Sequence, residues 1–228
     1  MKAPLAYASL GAACAVVAVR TGGVGWVLLW PAAAFAYVAA LYPLDRPGGW
    51  GKRPDGTLRP AGRVLLAPVR WTLLALWHAS RRGRRAAMNE VHPKLWLSRR
   101  PLTSELPPSV GLVIDLTSEL SPARGVIGDG RNYLAVPTLD YAPPPADAAS
   151  AALGLAQRHL ADPAADRPAV LIHCAGGIGR STTLMAALLV RLGVAGDVAA
   201  AVKHIRRTRP AVKLTPAQQA RAAALAAA

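Results

Sequence analysis

The chain of 228 residues contains one phenylalanine, two cysteines and 12 acidic residues against 27 basic ones. Each shortage excludes something. With so little Phe, a core has to come from Leu, Val, Ile and Ala. The two cysteines, Cys14 and Cys174, lie in segments of different character, which argues against a disulfide framework. No group of Cys and His residues has zinc-ligand spacing, so neither a metal nor a cofactor is expected. The net charge of +15 would suit a nucleic-acid binder, but no nucleic-acid motif accompanies it. Charge is also missing locally, from Ala3 to Val19 and again from Val24 to Leu44. As helices these runs span roughly 25 and 31 Å, against a bilayer core of about 30 Å. Arg20-Thr-Gly-Gly23 separates them. Residues 1–44 are therefore expected to form a transmembrane helical hairpin. Trp26, Trp30, Tyr37 and Tyr42 would serve as interfacial anchors, with Cys14 as a small residue inside the first helix.

The missing acidity matters most just after the hairpin. Residues 45–92 hold ten basic residues and three acidic ones. Arg46, Lys52, Arg53, Arg59 and Arg63 follow the second helix, while the inter-helix turn has only Arg20. The positive-inside rule then places the segment in the cytoplasm, a compartment that keeps a thiol reduced. The expected location is the cell membrane, multi-pass, with the lipid bilayer as a partner. Residues 45–87 read as a basic juxtamembrane linker. Within it, Leu66, Val69, Leu73 and Leu76 have helical spacing, which predicts an amphipathic helix over 64–79. Its apolar face could lie in the membrane interface, with Arg81, Arg82, Arg84 and Arg85 meeting headgroups, or pack against the rest of the protein.

Residues 88–228 read as a separate domain. Short strands are expected at 94–98, 111–116, 131–136 and 169–173. Helices are expected at about 147–160, 181–192, 197–208 and 216–226, with Asp197 and Thr215 as N-caps and Pro216 in the first turn. Apolar strands alternating with helices imply an α/β fold, a central mixed or parallel sheet flanked by helices.

The strand 169–173 runs into Val170-Leu-Ile-His-Cys-Ala-Gly-Gly-Ile-Gly-Arg-Ser-Thr182. Its chemistry can be read directly. Gly176, Gly177 and Gly179 let the backbone curl with its N–H groups inward, and a helix N-terminus follows, which favours an anion. The same field favours the thiolate of Cys174. Arg180 can bind two phosphate oxygens at once, and Ser181 can donate to the sulfur as it leaves. A buried structural Cys at an ordinary βα turn would leave Arg180 unexplained at the positive end of a helix.

The pattern His-Cys-x5-Arg-Ser resembles the signature of the cysteine-dependent protein tyrosine phosphatase superfamily. Val136-Pro-Thr-Leu-Asp140 is similar to the general-acid loop of its dual-specificity branch, and Asp140 lies 34 residues before Cys174. The stretches 93–106 and 209–219 resemble the opening strand and closing turn of that domain, so the likeness covers about residues 90–226. It implies a tyrosine-phosphatase-like fold. It implies Cys174 as nucleophile, Asp140 as general acid and base, and Arg180 and Ser181 as further catalytic residues. Substrate phosphate would rest on Ala175, Gly176, Gly177, Ile178, Gly179 and Arg180, with His173 organising the loop and Asp115 structural. Tyr141 could stack on a substrate ring or pack under the loop. The five loop positions carry no cation, which argues against a polyphosphorylated inositol headgroup, and the domain is too short for a deep phosphotyrosine pocket. The first expectation is a phosphoprotein substrate. A phospholipid headgroup phosphatase of the phosphatidylglycerophosphate type is the alternative, and a non-catalytic phosphate-binding adaptor stands behind both.

Overall fold

A computed structural model describes residues 2–81, 83 and 86–228. Arg82, Arg84 and Arg85, three of the four arginines read as a headgroup-binding tail, lie outside the described residues.

The chain begins with α1 (Lys2–Thr21), a 3-10 segment over Gly23–Leu28, and α2 (Leu29–Leu41). The stretches Ala3–Thr21 and Gly23–Leu41 are each long and apolar enough to cross a membrane. Only 11% and 28% of them are buried within the molecule, so neither resembles the core helix of a globular domain. They pack as a hairpin. A Cβ on Gly11 would lie 3.0 Å from the carbonyl oxygen of Ala32, so the missing side chain is what allows the close approach. The second apolar run is a continuous helix in sequence terms, but its first six residues are wound as 3-10. Gly22 and Gly23 both have positive φ there, a backbone that only glycine adopts at little cost.

The segment 45–81 is folded against the hairpin and the sheet. It holds a 3-10 turn at Pro47–Trp50, then α3 (Pro60–Leu65) and α4 (Ala67–Ser80). Where one helix over 64–79 was expected there are two, because Pro68 cannot supply the N–H that would carry the first through. Leu66 and Val69, half of the face that could have entered the interface, are buried among Phe35, Val38, Leu41 and Trp50. Leu76 remains exposed. The Arg70 side chain turns inward and donates to the carbonyls of Trp50 and Gly62.

Five strands follow: β1 (Met88–His92), β2 (Leu95–Arg99), β3 (Val110–Thr117), β4 (Asn132–Thr138) and β5 (Ala169–Cys174). Their order in the sheet is β1-β2-β5-β3-β4, with β1 antiparallel and the other pairings parallel. The first strand was not foreseen; its sequence Met-Asn-Glu-Val-His lacks a clear apolar alternation. The helices are α5 (Ala146–Ala161), α6 (Arg180–Arg191), α7 (Val198–Thr208) and α8 (Pro216–Ala227). The Asp197 and Thr215 side chains cap α7 and α8 as expected, accepting from the amides of Ala200 and Gln218. The two-residue period of a strand divides β5. Val170, Ile172 and Cys174 face the main core with the helices, and Ala169 and Leu171 face a smaller core on the other side. Helix α6 runs through the main core and is buried from Arg180 to Leu189.

Candidate active site

The loop after β5 is shaped from behind. Its carbonyls are each taken by a donor outside the bowl. The Arg100 amide donates to Ala175 O. Arg209 donates through Nε to Gly177 O at 2.7 Å and through Nη2 to Gly176 O at 3.2 Å. The Thr182 hydroxyl and the Lys213 amide donate to Ile178 O, and the Thr183 amide and hydroxyl to Gly179 O. No peptide bond among the described residues is cis. In a trans peptide the N–H points opposite to the carbonyl before it, so tying back the carbonyls of 175–179 aims the amides of 176–180 into the bowl. Gly177 is indispensable twice over. Its φ is +66°, and a Cβ there would lie 2.6 Å from the backbone of Ser98 and Arg99 on β2.

Cys174 sits at the floor, 3% exposed. Its sulfur is 3.2 Å from the Gly177 amide, which donates to it, and 3.3 Å from the Ser181 hydroxyl. Arg180, the first residue of α6, is buried between two carboxylates. Its Nη1 and Nη2 pair with Glu119 at 2.8 and 2.7 Å, Nη1 also donates to Thr138 O, and Nη2 lies 3.1 Å from Asp140 Oδ1. Burial works against the cation, but Glu119 and Asp140 more than offset it and hold the guanidinium charged. Its Nε–H is buried with no acceptor among the described residues. Glu119 thus grips the far edge of the fork and leaves the Nε edge for a ligand.

Asp140 follows β4 on a turn that is held at several points. Leu139 is buried in the cluster around Trp50 and Phe35. Gln218 of α8 donates to Ala142 O, and the Thr215 hydroxyl donates to Tyr141 O. The Asp140 side chain is half exposed while its neighbours are fixed. Tyr141 has a φ of +63° and is 66% exposed, so it does not pack under the loop.

His173 points to the opposite face of the sheet. Its Nδ1 lies 3.4 Å from the Cys174 carbonyl and 3.7 Å from Asp115 Oδ1, and burial pushes its pKa down to about 4. Asp115 is the centre of a buried network. Lys52 Nζ contacts it at 2.5 Å and also donates to Thr117 O, Thr117 Oγ1 and Leu120 O. The Tyr133 hydroxyl donates to the same carboxylate. Burial alone would raise Asp115, but His173, Lys52 and the Tyr133 hydroxyl hold it well below the usual carboxylate range. Lys52 was counted in the sequence among the charges that orient the membrane segment. It is instead fully buried against Asp115 of β3.

Cys174, the loop 175–179, Arg180, Ser181 and Asp140 are therefore brought together, and His173 and Asp115 support them from behind. Glu119, Arg209 and Gln218 were not singled out as site residues. Glu119 lies 61 residues before Arg180, and no local pattern reveals a partner that only the β3-to-β5 pairing creates.

Residues 104–227 match the family model described as "Swiss Army Knife protein, DSP-PTPase phosphatase domain". No curated protein matches the chain. Among solved structures, PTPMT1 in complex with PI(5)P is similar with a TM-score of 0.54 at 19% identity, over 62% of this chain and 96% of that one. Human DUSP28 is similar with a TM-score of 0.50 at 19% identity, over 63% and 95%. Tk-PTP in its active form gives 0.51 at 23% identity, over 62% and 97%. At these identities the structures speak for the fold, and the family model covers more than half of the chain. The glycine-rich loop between β5 and α6 lies inside the matched segment, on a sheet of the fold these structures share: the chain belongs to the DSP-PTPase phosphatase-domain family.

Proposed function

We propose that the protein is a membrane-anchored phosphomonoesterase of the dual-specificity type, working through a phosphocysteine intermediate. The observation that carries this reading is the convergence of Cys174, Arg180 and Asp140 on one bowl of inward-facing amides. A phosphate dianion would rest on the amides of 176–180 and on the Nε edge of Arg180. Cys174 attacks phosphorus in line, and Asp140 gives a proton to the departing oxygen. The phosphocysteine is then opened by water that Asp140 deprotonates, while Ser181 donates to the returning thiolate. The incoming dianion competes with Asp140 for Arg180 and frees the carboxyl to turn toward the leaving group. The hairpin of α1 and α2 anchors the domain in the bilayer. The basic residues after α2 that face solvent, Arg46, Arg53, Arg59 and Arg63, support a cytoplasmic position.

The test uses the full chain in membranes. Cys174→Ser should abolish aryl phosphate hydrolysis and still bind vanadate, because the cradle persists without its nucleophile. External protease on intact cells should leave the domain uncut. Turnover by the serine variant within about tenfold of wild type would remove the thiolate mechanism, and cleavage from outside would invert the topology.

A further inference from the structure

Resting on the phosphatase reading of Cys174, we propose that the substrate is a lipid of the same bilayer, ending in a single phosphomonoester. Its headgroup would reach the bowl past a wall formed by Tyr7 and Tyr42. The catalytic turn is built onto the hairpin. Leu139, next to Asp140, is packed with Phe35, Val38 and Leu41 of α2, and Tyr7 and Tyr42 lie against the same cluster. The two tyrosine rings are 5.9 Å apart.

Their position along the hairpin decides what they face. Tyr7 is near the start of α1 and Tyr42 directly follows α2, so both sit at the end opposite the 22–23 turn. If the hairpin spans the bilayer, that end is at headgroup height, where tyrosine is favoured because its ring is apolar and its hydroxyl is wet. A lipid lying beside α1 or α2 then holds its phosphate at the level of Arg180 without leaving the membrane. An apolar surface also runs along the hairpin from this end toward the 22–23 turn. Trp30, near the start of α2, donates to Leu65 O and meets Trp71 edge-on, and Val64 and Leu65 of α3 and Trp71 and Leu76 of α4 are exposed. An aqueous peptide gains nothing from this surface, whereas an acyl chain does. The uncharged positions 175–179 leave Arg180 as the one side-chain cation in the loop, which suits one phosphate and not several. The products are the lipid alcohol and inorganic phosphate: the S–P bond forms as the P–O bond breaks with the proton from Asp140, and water then cleaves S–P and returns a proton to Asp140.

The experiment reconstitutes the full chain in phosphatidylcholine vesicles doped with phosphatidic acid or phosphatidylglycerophosphate. Phosphotyrosyl and phosphoseryl peptides, glycerol phosphate and an aryl phosphate are compared in the same vesicles, each with the Cys174→Ser control. Lipid kcat/KM should exceed that of the best peptide and of glycerol phosphate by about a hundredfold, and Tyr42→Ala should lower it about tenfold more than it lowers turnover of aryl phosphate. Peptides hydrolysed as well as lipid, glycerol phosphate hydrolysed as well as phosphatidic acid, or a Tyr42→Ala loss equal on lipid and aryl phosphate would overturn the proposal. Cys174-dependent aryl phosphate hydrolysis without lipid hydrolysis would overturn it alone. No Cys174-dependent hydrolysis of any substrate would overturn the phosphatase reading as well.

Discussion

Arg180 is buried between Glu119 and Asp140, and the two carboxylates have different freedom. Glu119 forms a two-point fork with the guanidinium, whereas Asp140 is half exposed and meets it at one oxygen. Asp140 can therefore move to a leaving group while Arg180 stays in place. Asp140→Asn should slow alkyl phosphates, whose leaving oxygen needs a proton, at least about a hundredfold more than activated aryl phosphates, which leave without one. Equal losses in steady-state kinetics on both classes would place the acid elsewhere. His173 gives a pH signature. Burial pushes it down to about 4 in the folded protein, while an unfolded histidine titrates near 6.5. Between those values the unfolded chain binds more protons, so stability falls as pH drops from about 6.5 to about 4, by up to about 3 kcal/mol. Asp115, held low in the fold, adds its own loss only below about 3.9. Melting of the detergent-solubilised chain should show this decline, and His173→Gln should flatten it above pH 4. A decline unchanged in the variant would assign the effect to another group.

The loop 175–179 owes its shape to the elements around it more than to its own sequence. Strand β2 passes so close that Gly177 cannot carry a side chain, and Arg209, from the turn before α8, takes two of its carbonyls. Gly177→Ala should cost vanadate binding at least about tenfold while the domain still melts cooperatively, because the clash with β2 and the positive φ both displace the loop. Calorimetric titration would check this; wild-type affinity would mean that β2 can yield. The glycines and the Arg-Pro turn were legible in the sequence as motifs. Which carbonyls Arg209 would hold was not, since its reach of 32 residues to Gly177 depends on α7 folding back along the sheet. The helix over 64–79 shows the same limit. Its apolar spacing was readable, but spacing alone does not say whether lipid or α2 covers the face, and Leu66 and Val69 are covered by protein.

Across the whole molecule, the stretch between hairpin and sheet joins two structures that the sequence had separated. Pro54 O accepts from the Ala135 amide at 2.7 Å on the edge of β4, Lys52 neutralises Asp115, and Trp50 and Leu66 share a cluster with Leu139. A chain beginning at residue 88 would leave Asp115 buried without its cation, a change that typically costs about 3–5 kcal/mol. A fragment of residues 45–228 should therefore melt well above one of residues 88–228, and Lys52→Met in the longer fragment should abolish most of that advantage. Equal melting of the two fragments would show that Asp115 finds another partner.

The sequence by itself determined the parts whose signal is local. Two uncharged runs gave the apolar hairpin, capped and periodic segments gave α5 to α8, apolar runs gave β2 to β5, and the glycine-rich stretch after His173-Cys174 gave the tight loop between β5 and α6. Each depends on residues within a turn or two of one another. Tertiary structure alone decided the pairings between distant residues: Glu119 with Arg180, Arg209 with Gly176 and Gly177, Lys52 with Asp115, and the hairpin with the Asp140 turn. Local pattern cannot encode these, because a charge in sequence looks the same whether solvent, lipid headgroups or a buried carboxylate will receive it. Burial makes the choice, since an unpaired charge is tolerated in water and is costly inside the protein.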